Sequence, residues 1–262
     1  MSSEDAIRLG IFALVFIAIA CWETLAPRRH LNFSRNIRWS SNIGMSLLNQ
    51  LVLRLCFPVL LVGLAVAVQQ RQWGLFNLVE MPEVLAIALC LLLLDLAIYV
   101  QHVVFHRVPW LWRLHRVHHS DLDFDVTTAV RFHPFEIVLS MLIKMALVLL
   151  LGVPPLAVLI FEVVLSLTAL FNHGNIFIPV KFDRILRWGL VTPDMHRVHH
   201  SAETAETNSN FGFNLPWWDY LFKTYRPQPG KGHEEMTVGL DDFRREDKLL
   251  LPALLLQPFR KR

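Results

Sequence analysis

The sequence predicts an all-α integral membrane protein, with about four to five transmembrane or re-entrant helices and a helical cap on the cytosolic side. Three observations carry that reading. The chain of 262 residues is 54% hydrophobic and only 18% charged, too apolar for an ordinary soluble domain of this size. Its apolar residues gather in runs long enough to cross about 30 Å of hydrocarbon, which takes roughly 20 residues. Its histidines collect beside the ends of those runs, and the hexapeptide HRVHHS recurs letter for letter at 115–120 and 196–201.

Taken in chain order, the runs are 6–26, 43–69 and 84–106, followed by two shorter segments over 135–172 broken by GVPP at 152–155. The first run has neither a basic leader nor a small-residue cleavage site, so it reads as an anchor rather than a signal peptide. The two short segments read as a tight transmembrane hairpin or a re-entrant pair. Arg28, Arg29, Arg35 and Arg38 crowd loop 27–41. Arg107, Arg113, Arg116 and Arg131 follow the third run, and Lys181, Arg184, Arg187 and Arg197 follow the hairpin. The positive-inside rule puts these segments, and with them both hexapeptides, in the cytoplasm. A bacterial inner membrane is favoured, with the endoplasmic reticulum as the alternative.

Other features are quieter. Nothing in the charge pattern points to a nucleic acid. Cys21, Cys56 and Cys90 lie in apolar runs at no paired spacing, so neither a disulfide framework nor a zinc knuckle is indicated. The end, LLLPALLLQPFRKR, reads as a membrane-surface tail, because Pro252 and Pro258 bracket a run too short to span. The expected organisation is anchor helices over 1–85, a catalytic region over 86–226 and the surface tail over 227–262.

Ten of the twelve histidines cluster. His102 and His106 stand at i and i+4 on one helix face. His115, His118 and His119 follow, then His133 and His173, then His196, His199 and His200. Within each hexapeptide the outer histidines share a face, while the adjacent pair is turned by about 100°. One short helix can therefore offer imidazoles to two nearby metal ions, and nine or ten rings suffice for two ions with four or five ligands each. Imidazole suits iron, zinc, copper or nickel. His30 and His233 lie outside the cluster and read as surface residues.

Several other residues could support such a site. Asp95, seven residues before His102, could orient an imidazole or pair with Arg54. Lys144 and Glu162, in opposite arms of the hairpin, read as an ion pair, and Arg131 with Glu136 as a local bridge. Thr192 and Pro193 mark a helix start, where Asp194 favours the N-terminus or contacts a ligand. Asp219 could also orient a histidine. Trp217, Trp218, Tyr220 and Phe222 read as interfacial anchors.

The segments HVVFH, HRVHHS, FNHGN and TPDMHRVHHS resemble the histidine boxes of the fatty acid hydroxylase superfamily, which includes sterol desaturases and alkylglycerol monooxygenases. NFGFNLPWWDYLFKTY resembles the segment after the last box, so the likeness runs over roughly 90–226. It implies a site of two iron ions (Fe2+/Fe3+), with O2 as co-substrate, hydroxylating or desaturating a C–H bond of a bilayer lipid. The ligands it implies are His102, His106, His115, His118, His119, His173, His196, His199 and His200, with His133 at a variable position. It also implies a separate electron donor of the cytochrome b5, ferredoxin or flavoprotein reductase type. The residues alone leave two rivals open: a zinc-dependent membrane hydrolase and a non-enzymatic metal or haem-binding membrane protein.

Overall fold

A computed structural model describes residues 3–57 and 59–260, and among them the chain is helical with only isolated bridges, Pro27 to Ile176 and Ser201 to Val238. The long helices are α1 (Ser3–Leu25), α2 (Arg35–Cys56), α3 (Leu61–Gln70), α4 (Leu75–Leu78), α5 (Glu83–Arg107), α6 (Pro109–His119), α7 (Pro134–Leu151) and α8 (Pro155–Asn172), with α4 a single turn. Shorter helices follow, among them α9 (Val180–Leu186) and α10 (Pro193–His199). Five segments are long and apolar enough to cross a membrane: Arg8–Leu25, Arg35–Leu78, Glu83–Arg107, Pro134–Leu151 and Pro155–Asn172.

The second apolar run departs from the single span expected over 43–69. Phe57, the residue before Pro58, is extended (φ −128°, ψ 88°), so α2 stops at Cys56 and α3 begins afresh at Leu61. The helix also starts earlier than its hydropathy suggests, because it buries polar groups along its length. Arg38, Ser41, Asn42 and Asn49 are all enclosed by protein. The hairpin is as expected. Gly152 ends α7 in the left-handed region (φ 70°), where a Cβ would strike Trp73 O and Asn77 Nδ2 at 2.7 Å, and Pro155 opens α8.

The main apolar core lies where α3, α5, α7 and α8 meet, around Val68, Leu94, Met141, Ala157 and Phe161. A second cluster joins Ile19 of α1 to Leu170 of α8 and to the 3-10 turn Val126–Val130. α1 thereby brings Arg8 to Glu162 at 2.8 Å, so Glu162 faces Arg8 as well as the charge of Lys144 expected from the hairpin. The C-terminal segment docks through Leu254 against Met45 of α2 and Val117 of α6, leaving Leu256 and Phe259 exposed.

The loop arginines do structural work on the same side as the histidines. Arg38 is wholly buried and binds Asp121 through Nε (2.6 Å) and Nη2 (3.0 Å), and Asp125 through Nη1 (2.5 Å). Arg131 does not bridge to Glu136. It donates to Val117 O, Ser120 Oγ and Asn42 Oδ1 at 2.8–3.0 Å, tying the end of α6 to α2. Removing one member of a buried ion network strands the others without water. Arg38→Ala is therefore expected to cost about 3–5 kcal/mol, seen as a lowered Tm of the detergent-solubilised protein, whereas exposed Arg54→Ala leaves Tm within error.

Candidate metal centre

α5 ends at Arg107 because Val108 precedes a proline and is extended, and Pro109 then supplies the first turn of α6. That corner sets His102 and His106 against His115, with ring centroids 5.0 Å apart in both pairs. α8 delivers His173 immediately past its last turn. Thr192 caps α10 by accepting from Met195 N, with Pro193 in the first turn, as the sequence indicates. α10 carries His196 and His199, and His200 is its C-terminal cap.

Nine of the ten clustered histidines converge into two groups. Nitrogens of His102, His106, His115, His119 and His199 lie within 4.8 Å of one another, and so do those of His118, His173, His196 and His200. All nine are buried except His106, which is half-buried. The two hexapeptides play reciprocal parts. The first sends its outer pair, His115 and His119, to the group of five and His118 to the group of four. The second sends His196 and His200 to the group of four and His199 to the group of five. Adjacent rings are close to perpendicular, 89° for His118/His119 and 80° for His199/His200.

The remaining letters of HRVHHS are structural. Val117 and Val198 are fully buried. Arg116 donates to Gln257 O (2.5 Å) and Arg260 O (2.8 Å), fastening the C-terminal segment, while Arg197 binds Asp194 and Gly174 O. Ser120 Oγ donates to Val117 O, and Ser201 N to Val198 O, each closing its helix.

The rings are oriented from outside. Nδ1 of His102 donates to Phe211 O, of His199 to Ser209 O and of His173 to Ala169 O, each at 2.8 Å, and Nδ1 of His115 donates to Glu136 Oε1 at 2.6 Å. Each bond fixes a tautomer that turns the Nε2 lone pair inward. Nε2 of His102, His115 and His199, and both ring nitrogens of His200, have no hydrogen-bond partner among the described residues. Other rings meet nitrogen to nitrogen: His106 to His119 at 3.1 Å, His118 to His173 at 3.2 Å and His173 to His196 at 3.1 Å. Two nitrogens each about 2.1 Å from one ion, at 90–109°, stand about 3.0–3.4 Å apart. Buried, inward-facing and so spaced, these donors fit a metal ion in each group.

Charge supports the same fit. Burial first, and neighbouring imidazoles second, push His118, His119, His196 and His200 well below 6.5. Burial takes His173 to about 4 and His199 to about 3, against the pull of their backbone acceptors. The rings are thus neutral at pH 7, with lone pairs available.

Other expected site residues lie elsewhere. His133 belongs to neither group: its Nδ1 accepts from Phe135 N as the cap of α7, and its Nε2 donates to Leu255 O. Asp95 shares a helix face with His102, but seven residues raise the helix by about 10 Å. Its carboxylate accepts from Trp218 Nε1 (2.7 Å) and Asn214 Nδ2 (2.8 Å), and touches neither an imidazole nor Arg54. Asp194 is held by Arg197 and Arg28, which keep its carboxyl low despite burial, and His233 Nε2 lies 3.5 Å from it. His233 is accordingly buried, not a surface residue, and burial takes it to about 3, while His30 is exposed.

Asp219 acts one step removed. It accepts from Phe211 N, Gly212 N and Thr224 Oγ1, fixing the loop whose Phe211 carbonyl orients His102. Gly212 is required there, since a Cβ would meet Asp219 Oδ2 at 2.7 Å. Burial raises Asp219 to about 6.

Glu136 is the orienting residue missed in the sequence, where it was assigned to Arg131. Its signal is a lone acid two residues past a proline, in a helix whose one other charged residue is Lys144. Trp112, Phe132 and Phe211 complete the wall, with Phe132 stacked on His118 at 4.4 Å.

A family model described as fatty acid hydroxylase matches residues 87–224. The chain is 31% identical over 151 residues to the ornithine lipid hydroxylase OlsE of Rhizobium tropici, covering 57% of this chain and 44% of that protein. It is 32% identical over 152 residues to cholesterol 25-hydroxylase of Homo sapiens, covering 56% and 55%. To alkylglycerol monooxygenase of Xenopus tropicalis it is 28% identical over 183 residues, covering 69% and 40%. The matches span about half the length of these curated relatives. No solved structure matches.

Two outcomes are expected. Glu136→Gln keeps an acceptor but removes its charge, and should weaken divalent-metal retention about 10–100-fold in dialysis against a chelator. Separately, His173 and His199 titrate at about 4 and about 3 in the folded chain, from an ordinary 6.5. Between those values the unfolded chain binds more protons, so stability is present above 6.5 and declines as pH falls toward 4. Thermal melts at pH 7.5, 6 and 5 in detergent should show a progressive drop in Tm.

Proposed function

Because the chain belongs to the fatty acid hydroxylase family, we propose that it is a membrane-bound oxygenase. In this reading it holds two iron ions and uses O2 and external electrons to hydroxylate or desaturate a lipid C–H bond. The observation that carries the proposal is the convergence of nine buried imidazoles into groups of five and four with donor nitrogens facing inward. His102, His106, His115, His119 and His199 would hold one ion, and His118, His173, His196 and His200 the other. Bound iron would supply the activation of O2 that no side chain can, which an unactivated C–H bond demands.

What the chain itself contributes is binding, orientation and dryness. Glu136 and the carbonyls of Phe211, Ser209 and Ala169 hold rings in place, and Phe132, Phe124 and Phe211 pack against them and exclude water. Asp95, Asp194 and Asp219 act as positioning residues, through the 214–218 segment, the start of α10 and the Phe211 loop respectively. The ligand richness argues against the hydrolase rival, since open catalytic zinc sites take three protein ligands. The substrate proposed is a bilayer lipid, consistent with the relatives named for ornithine lipid, cholesterol and alkylglycerol.

The arginine-rich loop lies with the histidines, which by the positive-inside rule supports a cytoplasmic site. A separate reductase, of the cytochrome b5, ferredoxin or flavoprotein type, would then supply electrons from that side.

Iron analysis of membrane-purified protein, with O2 uptake and lipid mass spectrometry, tests the proposal. About two irons per chain and a lipid product heavier by one oxygen, or lighter by two hydrogens, are expected. Stoichiometric haem, or zinc with no O2 uptake, overturns it. His118→Ala and His199→Ala should each abolish product while membrane insertion persists, and full activity in either would remove it from the ligand set.

A further inference from the structure

Beside the metal centre, α5 and α7 are joined by a hydrogen bond from Gln101 Nε2 to Ser140 Oγ (3.2 Å) and frame a groove of about 550 Å³. Leu93, Ala97 and Val100 line it from α5, and Leu139 and Ile143 from α7. Both helices are candidate spans, so the groove opens into hydrocarbon. Phe105 and Leu111 also line it, at the corner between α5 and α6 that carries the histidines. The Phe105 ring is buried, 6.0 Å from that of His115. One aromatic side chain therefore separates the groove from the group of five imidazoles.

We propose that this groove seats one alkyl chain of a phosphate-bearing bilayer lipid, with Arg107 and Arg113 holding its head. Length favours it: from Leu93 to Phe105 the helix rises about 18 Å, close to the roughly 15 Å that one leaflet contributes to the hydrocarbon core. A chain lying there ends near the mid-plane while its head stays at the surface. Charge favours it too. Arg107 stands three residues past Val104 and seven past Val100, hence on the face of α5 that lines the groove, and it is exposed. Arg113 stands three past Trp110, exposed on the matching face of α6, and Trp110 itself is 62% exposed at the groove mouth. Two guanidinium groups complement a phosphate, whereas a sterol offers only a hydroxyl there. The inference rests on the lipid-oxygenase reading and deepens it: the head-proximal part of the lipid lies against Phe105, the partition before His115.

The test measures binding without turnover. The full chain is reconstituted in nanodiscs containing a phospholipid with a diazirine on one acyl chain, irradiated, and mapped by peptide mass spectrometry. Labels are expected on the groove faces of α5 and α7. Ala97→Trp and Val100→Trp should each lower groove labelling about tenfold, as should the double variant Arg107→Ala with Arg113→Ala. Leu150→Trp, exposed on α7 outside the groove, should leave it unchanged. Iron content checks that the centre survives each substitution. Undiminished labelling in the two tryptophan variants overturns the proposal. So does a diazirine sterol that labels the groove as strongly and ignores the arginine substitutions. Groove labelling in protein that shows no oxygenase turnover supports the lipid seat and counts against the oxygenase reading alone.

Discussion

Nine imidazoles facing one another in a buried volume are an unstable arrangement for a protein left to itself. Each inward nitrogen is a desolvated polar atom, costing about 1–3 kcal/mol when unpartnered. Protonation cannot relieve it, because burial and adjacent rings oppose every added charge. A cation held in each group would accept that group's lone pairs at once. The rest of the molecule is the framework that keeps those rings from relaxing apart.

That framework uses two devices. Apolar helices fix coarse position: the core of α3, α5, α7 and α8 sets where the ends of α5 and α8 emerge, and a proline at the start of α6 folds the first hexapeptide onto α5. Buried ion pairs fix fine position. Arg38 and Arg131 bind Asp121, Asp125 and the last turn of α6, while Arg28 and Arg197 converge on Asp194 ahead of the second hexapeptide. Such pairs are weak contributors to stability but strongly directional, which is what ligand placement requires. Their location on the histidine side also accounts for the charge asymmetry along the chain.

The legible features were those with a local cause. Hydropathy marks spans, proline and Thr192 mark helix starts, and spacings of three and four place imidazoles on shared faces. The hexapeptide even encodes its division between two groups, because adjacent residues on a helix cannot point the same way. What could not be read was partner choice across space. His133 had the right residue type on the right side, yet capping α7 used its Nδ1. Asp95 had the right face at the wrong height. Glu136 looked like the partner of Arg131 until tertiary packing gave each another neighbour. Three of the four orienting acceptors are backbone carbonyls, which carry no side-chain signature at all.

The two groups are also unequal in a way that bears on their chemistry. The group of five has His115 oriented by a carboxylate, and a charged acceptor makes the opposite nitrogen a stronger donor than a carbonyl does. The group of four has only the Ala169 carbonyl behind His173. Were an ion held in each group, more ligands and a stronger donor would stabilise a higher charge on one side, and the poorer side would keep more Lewis acidity toward added ligands. The solvent side repeats the asymmetry, since His106 alone is half-buried and it belongs to the richer group. A centre built this way has two distinguishable halves, and the identity of the two hexapeptides conceals that difference, because it arises from what stands behind each ring.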